Sequence, residues 1–370
     1  MLRMKCDRAE AIQIMAHKYQ QMADALRNDI LDGVYQKRML LPTEQLLSHQ
    51  FGVSRQTVRQ ALALLAAEGL IERRQGSGSH ILQPPEAPAS PRRTVAVVTT
   101  YISNYIFPSI LREIETVLSA NNSAPTLYAT QNQVSNERRI LQSLLNGELP
   151  DGILVEGTKT GLPNPNMDLY RQLISRGVPM VFMHGIYPEL SDCLSVLDDN
   201  CGGSRLLVEH LYEKGHRSIS GIFKNDDLQG LQRYAGYTNA LRDLGLPLED
   251  QRVFWYNTES KELLLSDDAF WEQASDVLHN CTAIVCYNDE IAFRLVSLLL
   301  KRGIRVPDDI AVVSFDNSTY SELSAIPITS LSHGAYNVGR MAAELLVSLF
   351  NGESGSSQLA PWTLITRESS

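Results

Sequence analysis

The stretch PTEQLLSHQFGVSRQTVRQALALLAAEGLIERRQGSGSH, residues 42–80, spells helix, tight turn, helix and a short basic hairpin. Thr43 is placed to cap a first helix whose apolar face carries Leu46 and Leu47. Gly52 permits the turn, and Ser54 is placed to cap a second helix in which Val58, Leu62 and Leu65 recur at helical spacing. The same spacing puts Arg55, Gln56, Thr57 and Arg59 on the outward side of the second helix's first turn. In such a motif that turn reaches base edges in a major groove. LIERRQGSGSHI, residues 70–81, then gives two strand-like runs around a Gly-Ser tip, flanked by Arg73 and Arg74. The layout is a winged helix-turn-helix. A small bundle with merely solvated arginines would not need the cap, the polar first turn, the basic wing and the glycine tip together.

The stretch also resembles the GntR family of bacterial regulators, with PTE-x-x-L, FGVSR-x-TVR-x-AL, L-x-x-x-G-L-I and a glycine-bearing wing in that order. The resemblance implies that Arg55, Gln56, Thr57, Arg59 and Gly76 lie at the DNA. Thr43, Glu44, Ser54, Arg73 and Gln75 complete the candidate DNA-facing set.

A chain of 370 residues is too long for one average domain. Its 44% hydrophobic and 20% charged content is that of a soluble globular protein. No apolar run approaches the ~20 residues that span a bilayer, and charges interrupt the opening MLRMKCDRAEAIQIMAHKYQ before it resembles a secretion signal. A cytoplasmic protein is expected. The net charge of −9 argues against nucleic acid when read globally, but it is unevenly placed. Residues 1–93 hold 13 Lys+Arg against 9 Asp+Glu, a net of +4, and the remainder carries −13. That split suits one unit at the phosphates and one kept away from them. Cys6, Cys193, Cys201, Cys281 and Cys286 show no zinc spacing, and reduced, buried thiols are expected.

KYQQMADALRNDILDG, residues 18–33, reads as an amphipathic helix that completes a three-helix head over residues 17–83. Residues 84–93 carry most of a proline-rich linker, QPPEAPASPRR. From residue 94 to 370 the pattern changes. TVAVVTT is a continuous apolar run of the parallel-sheet kind, and strands then alternate with helices of about 10–15 residues, as in βαβ units. Helices are expected to end at Gly147, Gly177, Gly215, Gly245 and Gly303. Crossings near Asp198 and Asp316 divide the run into two α/β lobes. The helix at Tyr336–Phe350 and a last strand near Leu359–Thr366 are expected to finish the second lobe. The expected fold is thus a two-lobed α/β domain with parallel sheets behind a small α+β winged helix-turn-helix.

Open α/β sheets bind ligands at the carboxyl ends of their strands. There the sequence places Thr99 and Thr100, Glu156, His184, Asp198, Lys224, Asn288 and Asp289, and Asp316, with rings from Tyr101, Tyr105 and Phe107 nearby. Any one of these also suits a turn or a cap; together they fit a single cleft for sugar hydroxyls and an apolar ring face. The adjacent acids Asp198/Asp199 and Asp226/Asp227 read as loop solvation or hydroxyl binding rather than acid–base pairs.

YNDEIA after a strand, then VVSFDNS and TSLSH, resemble the periplasmic-binding-protein-like domain of LacI/GalR regulators. TTYISNYIFPSI, NERR, DGILVEGTK and GHRSISGIFKNDDLQG resemble the arabinose-responsive family that joins a GntR-type head to such a domain. The resemblance implies sugar contacts at Arg233, Asn288 and Asp316, and L-arabinose as the effector of an operator-DNA-binding repressor. Tyr105, Phe107, Glu156, Lys159, His184, Lys224 and His333 join the candidate set from their positions at strand ends. The LacI-type headpiece and hinge helix are missing, so minor-groove hinge contacts are not implied. A different monosaccharide or a sugar phosphate remains an alternative effector.

No G-x-S-x-G, Walker A, H-E-x-x-H or strand-linked G-x-G-x-x-G occurs, and the histidines show no metal spacing, so neither an enzyme nor a metal or other cofactor is expected. A transporter's sugar-binding protein shares the two-lobed domain but needs a secretion signal and no winged head. A homodimer on a palindromic operator, away from any membrane, is expected.

Overall fold

The computed structural model describes residues 18–30, 34–35, 40–74, 77–82, 92–264 and 269–370. The chain forms two compact units, Met1–Pro91 and Arg92–Ser370. Residues 1–16 and most of the linker at 84–93 lie outside the described residues.

In the first unit, helix α1 covers residues 18–30 and buries Met22, Ala23, Leu26 and Ile30. Helices α2 (Glu44–Phe51) and α3 (Arg55–Ala67) follow, then strands β1 (Ile71–Arg74) and β2 (Gly78–Ile81). Both expected caps form: Thr43 Oγ1 accepts from the Leu46 N–H at 3.4 Å, and Ser54 Oγ accepts from the Thr57 N–H at 3.2 Å. Gly52 takes φ 61°, a left-handed geometry that a side chain would strain. β1 and β2 pair antiparallel, Ile71 opposite Ile81, and both isoleucines enter a core with Leu47, Val58, Leu62 and Leu65. Each of these leucines, fully buried, stabilises the unit by roughly 1.5–3 kcal/mol before entropy is counted. Thr57 does not face outward. It is 3% exposed, and its hydroxyl bonds to Ser54 Oγ at 2.9 Å, because residue 57 lies one turn before buried Ala61.

The second unit has two six-stranded sheets. Its elements, in chain order, are β3 (Arg93–Thr99), α4 (Phe107–Ala120), β4 (Ser123–Ala129), α5 (Val134–Asn146), β5 (Gly152–Val155), α6 (Met167–Ser175), β6 (Met180–Met183) and β7 (Leu194–Asp198). The chain then enters the second lobe with α7 (Asn200–Glu213), β8 (Ile219–Lys224), α8 (Leu228–Asp243), β9 (Val253–Tyr256), α9 (Lys261–Leu264), α10 (Ala269–Asn280), β10 (Ala283–Cys286), α11 (Asp289–Lys301), β11 (Ala311–Phe315), α12 (Thr319–Leu323) and β12 (Thr329–Ser332). It ends with α13 (Val338–Phe350), β13 (Gln358–Ala360) and β14 (Thr363–Ile365).

Strand order is β13-β7-β6-β5-β3-β4 in the first lobe and β14-β12-β11-β10-β8-β9 in the second. All pairs are parallel except β12 with β14. Each sheet is covered on both faces, which is why its strands read as unbroken apolar runs. Val95 and Val97 meet α4 and α13 on one face of β3, while Ala96 and Val98 meet α5 and α6 on the other.

Three expectations about topology need correction. α13 packs in the first lobe, beside α4 and over β5, β6 and β7, rather than completing the second. The stretch expected as one final strand is two: β13 pairs with β7 of the first lobe, and β14 pairs with β12 of the second. The chain therefore crosses between lobes three times, at residues 198–200, 332–338 and 360–363, and Asp316 marks no crossing because β11 and β12 share a sheet. At the helix ends Gly177, Gly215, Gly245 and Gly303 are left-handed as expected, whereas Gly147 is extended at φ −93°. Of the four described cysteines, all free, Cys281 and Cys286 are buried, but Cys201 is exposed.

Candidate DNA interface and ligand cleft

The exposed side of α3 carries Arg55, Gln56 and Arg59, and the wing carries Arg73 and Arg74. Glu44, in the first turn of α2, ties this surface together. Its carboxylate accepts from Arg59 Nε at 2.9 Å and from Arg73 Nη2 at 2.8 Å, so helix and wing present their guanidinium groups side by side. Gln75 and Gly76 lie outside the described residues. Thr43 and Ser54 act as helix caps here.

In the second unit a cavity of about 310 Å³ lies between the lobes, where the strand ends converge. Tyr105, Phe107, Glu156 and His184 line it from the first lobe, and Lys224, Arg233, Asn288 and Asp316 from the second. Lys159 and His333 do not. The Lys159 ammonium pairs instead with Glu259, with Asp226 at 4.0 Å, and so spans the lobes. His333 borders a neighbouring cavity; its Nε2 lies 2.7 Å from Asp198 Oδ1 and its Nδ1 2.9 Å from the Pro361 carbonyl.

Each polar group of the cleft is held from behind. Glu156 Oε2 accepts from the Thr100 N–H at 2.8 Å and from the Thr99 and Thr100 hydroxyls at 2.9 and 2.7 Å. Arg233 is 1% exposed: Nε donates to Asn200 Oδ1 at 2.9 Å, Nη1 to the Tyr287 carbonyl at 2.5 Å and Nη2 to Asp316 Oδ1 at 3.4 Å. The guanidinium carbon lies 4.1 Å from the centre of the Phe315 ring. Asn288 Oδ1 caps α11 through the Ile291 N–H at 3.1 Å, which leaves its NH₂ as the polar end for the cavity.

Lys224 sits between Asp226 and Asp227 at 2.9 and 2.8 Å; burial disfavours its charge, but the two carboxylates outweigh burial and raise its pKa. Gly230 makes this possible, since a Cβ there would stand 1.9 Å from the Lys224 carbonyl oxygen and push α8 off β8. The adjacent acids are structural rather than solvated: Asp198 and Asp226 are buried, while Asp199 and Asp227 cap α7 and α8.

Gln229, Tyr287 and Asn132 are not singled out in the sequence, whereas Asp289 is placed at the cleft as a strand-end group and Asp227 is read as an acid for loop solvation or hydroxyl binding. Asp227, Gln229, Tyr287 and Asn132 line the cavity, and Asp289 stands just behind it. Asp289 accepts from the hydroxyls of Ser314, Ser318 and Ser330 and from the Ser318 N–H, anchoring the loop that carries Asp316. Burial, then the nearby Asp316, pushes its pKa up to about 6. Asn132, Gln229 and Tyr287 escape because their value depends on partners far away in sequence.

The lobes meet directly around the cavity. Gln229 Nε2 donates to Asp198 Oδ2 at 2.9 Å, the Leu228 N–H to Thr160 Oγ1 at 2.9 Å, and the Asn132 amide to the Thr258 hydroxyl. His184 is held at φ 62° with Nδ1 3.0 Å from Asp198 Oδ2, while its buried Nε2 has no partner among the described residues. Burial opposes its charge, yet the Asp198 carboxylate prevails and raises its pKa to about 9. Burial favours the neutral acid at Asp198, and the two histidines overcome it and hold that pKa well below the usual range.

His184 contributes a stability that depends on its proton. A folded-state pKa above the ordinary 6.5 gives stability that is complete below pH 6.5 and disappears as pH rises through about 9. The gap corresponds to on the order of 3 kcal/mol. In thermal melts, the advantage of wild type over His184→Gln is expected to hold at pH 7 and to shrink towards pH 10. A constant difference across that range would show that the charge contributes nothing.

A winged helix followed by a two-lobed domain with a polar inter-lobe cavity defines a transcription regulator with its own ligand domain. Residues 18–81 match the bacterial regulatory proteins of the gntR family, and residues 208–370 match the periplasmic binding protein-like domain. An arabinose metabolism transcriptional repressor from Halalkalibacterium halodurans is 36% identical over 343 residues, covering 92% of this chain and 91% of the relative. Its counterpart from Geobacillus stearothermophilus is 35% identical over 346 residues, covering 91% and 92%. The chain belongs to this family of arabinose metabolism transcriptional repressors, which join a GntR-type head to a LacI-type ligand domain. The crystal structure of the regulator CcpA of Lactococcus lactis shares the fold, with a TM-score of 0.65 and 23% identity over 75% of this chain and 99% of that one. These relatives are regulators, not enzymes. Among the described residues, no helix is long and apolar enough to cross a membrane, and no three His, Cys, Asp or Glu are placed to hold a metal ion.

Proposed function

We propose that the inter-lobe cavity binds L-arabinose, and that binding releases the repressor from a palindromic operator to which it binds as a homodimer. The observation that carries this reading is the charge pairing of the cavity. His184, Lys224, Arg233 and Lys261 are matched by Asp198, Asp226 and Asp227, Asp316 and Glu290. A phosphate brought here would compete with carboxylates for every cation, at the cost of its own desolvation. A neutral ligand rich in hydroxyls meets alternating donors and acceptors: the His184 Nε2–H, the Asn288 NH₂ and the carboxylates of Glu156, Asp227 and Asp316. Tyr101, Tyr105, Phe107 and Tyr287 offer rings to its apolar face.

Each protomer of the dimer contributes one α3 to successive major grooves, with Arg55, Gln56, Arg59 and Arg73 as the contacts. Sugar releases DNA only to the extent that it prefers the lobe arrangement that does not fit the operator. A coupling of ~1–3 kcal/mol changes affinity by roughly 5- to 150-fold. Residues 17–83 serve as the DNA head, 84–93 as the connection and 94–370 as the sugar and dimer domain.

A thermal-shift screen tests the ligand. At one hundred times its Kd a sugar stabilises by ~2.7 kcal/mol, which raises the melting temperature by roughly 5–10 °C. L-arabinose is expected to give this shift, and ribose, galactose and arabinose 5-phosphate a smaller one. A shift with the phosphosugar alone would remove the neutral-ligand assignment.

A further inference from the structure

A second cavity, also about 310 Å³, lies beside the first and faces the 332–338 crossing. Tyr105, Ile106, His184, Gln229 and Asp316 line both, so these side chains form the partition between them. The centre of that partition is Tyr105. Its hydroxyl donates to Asp316 Oδ2 at 2.7 Å and accepts from the Asp289 N–H at 3.1 Å, which carries a first-lobe ring across to the second lobe. Tyr105 holds φ 55°, a left-handed geometry that a bulky residue rarely adopts, so contacts across the cleft keep the ring in place.

The second cavity has the chemistry of a sugar subsite. Ile106, Ile110, Val338 and Trp362 give it an apolar side, and Ser109, Asn317, Thr319, Ser332 and Asn337 a polar one. Its charged groups are already engaged, His333 and His184 with Asp198, and Asp316 with Arg233 and Tyr105. Ser109, Thr319 and Gly334 at its rim are exposed.

We propose that Tyr105 is the end wall of the effector site, confining it to one sugar ring and shutting off a second, neutral-sugar subsite behind the Tyr105–Asp316 contact. The proposal rests on the sugar reading of the main cavity. With the ring removed, the two cavities become one chamber long enough for a disaccharide.

The test is calorimetry on the full chain with L-arabinose and α-1,5-linked L-arabinobiose. Tyr105→Gly removes the ring and suits the positive φ; Tyr105→Asn is a second small variant that tolerates it; Tyr105→Phe loses the hydroxyl but keeps the ring, which still packs on Tyr320 of the second lobe with centroids 5.9 Å apart. Wild type and Tyr105→Phe are expected to bind the monosaccharide and to bind the disaccharide at least tenfold more weakly. Tyr105→Gly and Tyr105→Asn are expected to bind the disaccharide at least tenfold more tightly than wild type does. A wild type that ignores L-arabinose overturns the sugar reading and this proposal with it. A wild type that binds L-arabinose, with small variants no better at the disaccharide or with wild type already accepting it, overturns the wall alone.

Discussion

Arg233→Ala is expected to leave a repressor that holds its operator and no longer responds to L-arabinose. The side chain is almost wholly buried and braces three places at once: Asn200 on α7, the Tyr287 carbonyl at the end of β10, and Asp316 after β11. Its loss leaves Asp316 Oδ1 without its cation, although the Tyr105 hydroxyl still donates to Oδ2, and empties the space over the Phe315 ring. Breaking a buried pair in this way costs ~3–5 kcal/mol, so the ligand unit should melt earlier. The same change removes a charge-assisted donor from the cavity, worth ~1.5–3 kcal/mol or roughly 10- to 150-fold in affinity. Arg233→Lys separates the two effects. It keeps a cation for Asp316 but cannot reach three acceptors from one planar fork. The lysine variant should recover most of the melting temperature and little of the sugar affinity. Normal arabinose binding by either variant would remove Arg233 from the site. Operator affinity without sugar should be unchanged, because the DNA-facing side chains belong to the other compact unit.

Where the determinants are local, the sequence is legible. Thr43, Gly52 and Ser54 set the helix-turn-helix through caps and a single φ, all within a dozen residues, and β3 declares two covered faces in Val95–Val98. What stays hidden depends on partners distant in sequence. Nothing in VGRMAAELLVSLF says that its apolar face lies on β5, β6 and β7 rather than on the neighbouring β12. The split of the final strand is equally invisible, since two residues at 361–362 suffice to move the chain from one sheet to the other. β9 escapes because it is a short edge strand with exposed Trp255.

The cleft shows the same division. Eight of the ten candidates line the cavity, seven of them from strand ends and the loops that follow and Arg233 from α8, where the resemblance had put it. Position along a strand does not reveal that Lys159 is occupied by Glu259 or that His333 sits behind Asp198. It also misses Gln229 at the start of α8, which enters the cavity because Gly230 lets that helix approach β8.

Arg59→Ala is expected to abolish operator binding in a gel shift while leaving sugar binding intact. In the free protein Arg59 rests on Glu44 beside Arg73, an exposed arrangement worth at most ~1 kcal/mol. That interaction is cheap to exchange for a base or phosphate. One arginine–guanine contact discriminates by ~1–3 kcal/mol. A dimer loses it in both half-sites, so the change amounts to ~2–6 kcal/mol, or roughly 30-fold to more than 10⁴-fold. Salt dependence tells which contact is made. If Arg59 reads guanine, affinity falls for the operator and little for random DNA. If it meets phosphate, both fall together and the slope of log affinity against log salt drops by about one per arginine. Glu44→Ala is the companion variant: it frees both guanidinium groups and should relax sequence preference more than it lowers affinity, because positioning is lost and charge is not. An Arg59→Ala protein with wild-type operator affinity would remove α3 from the groove.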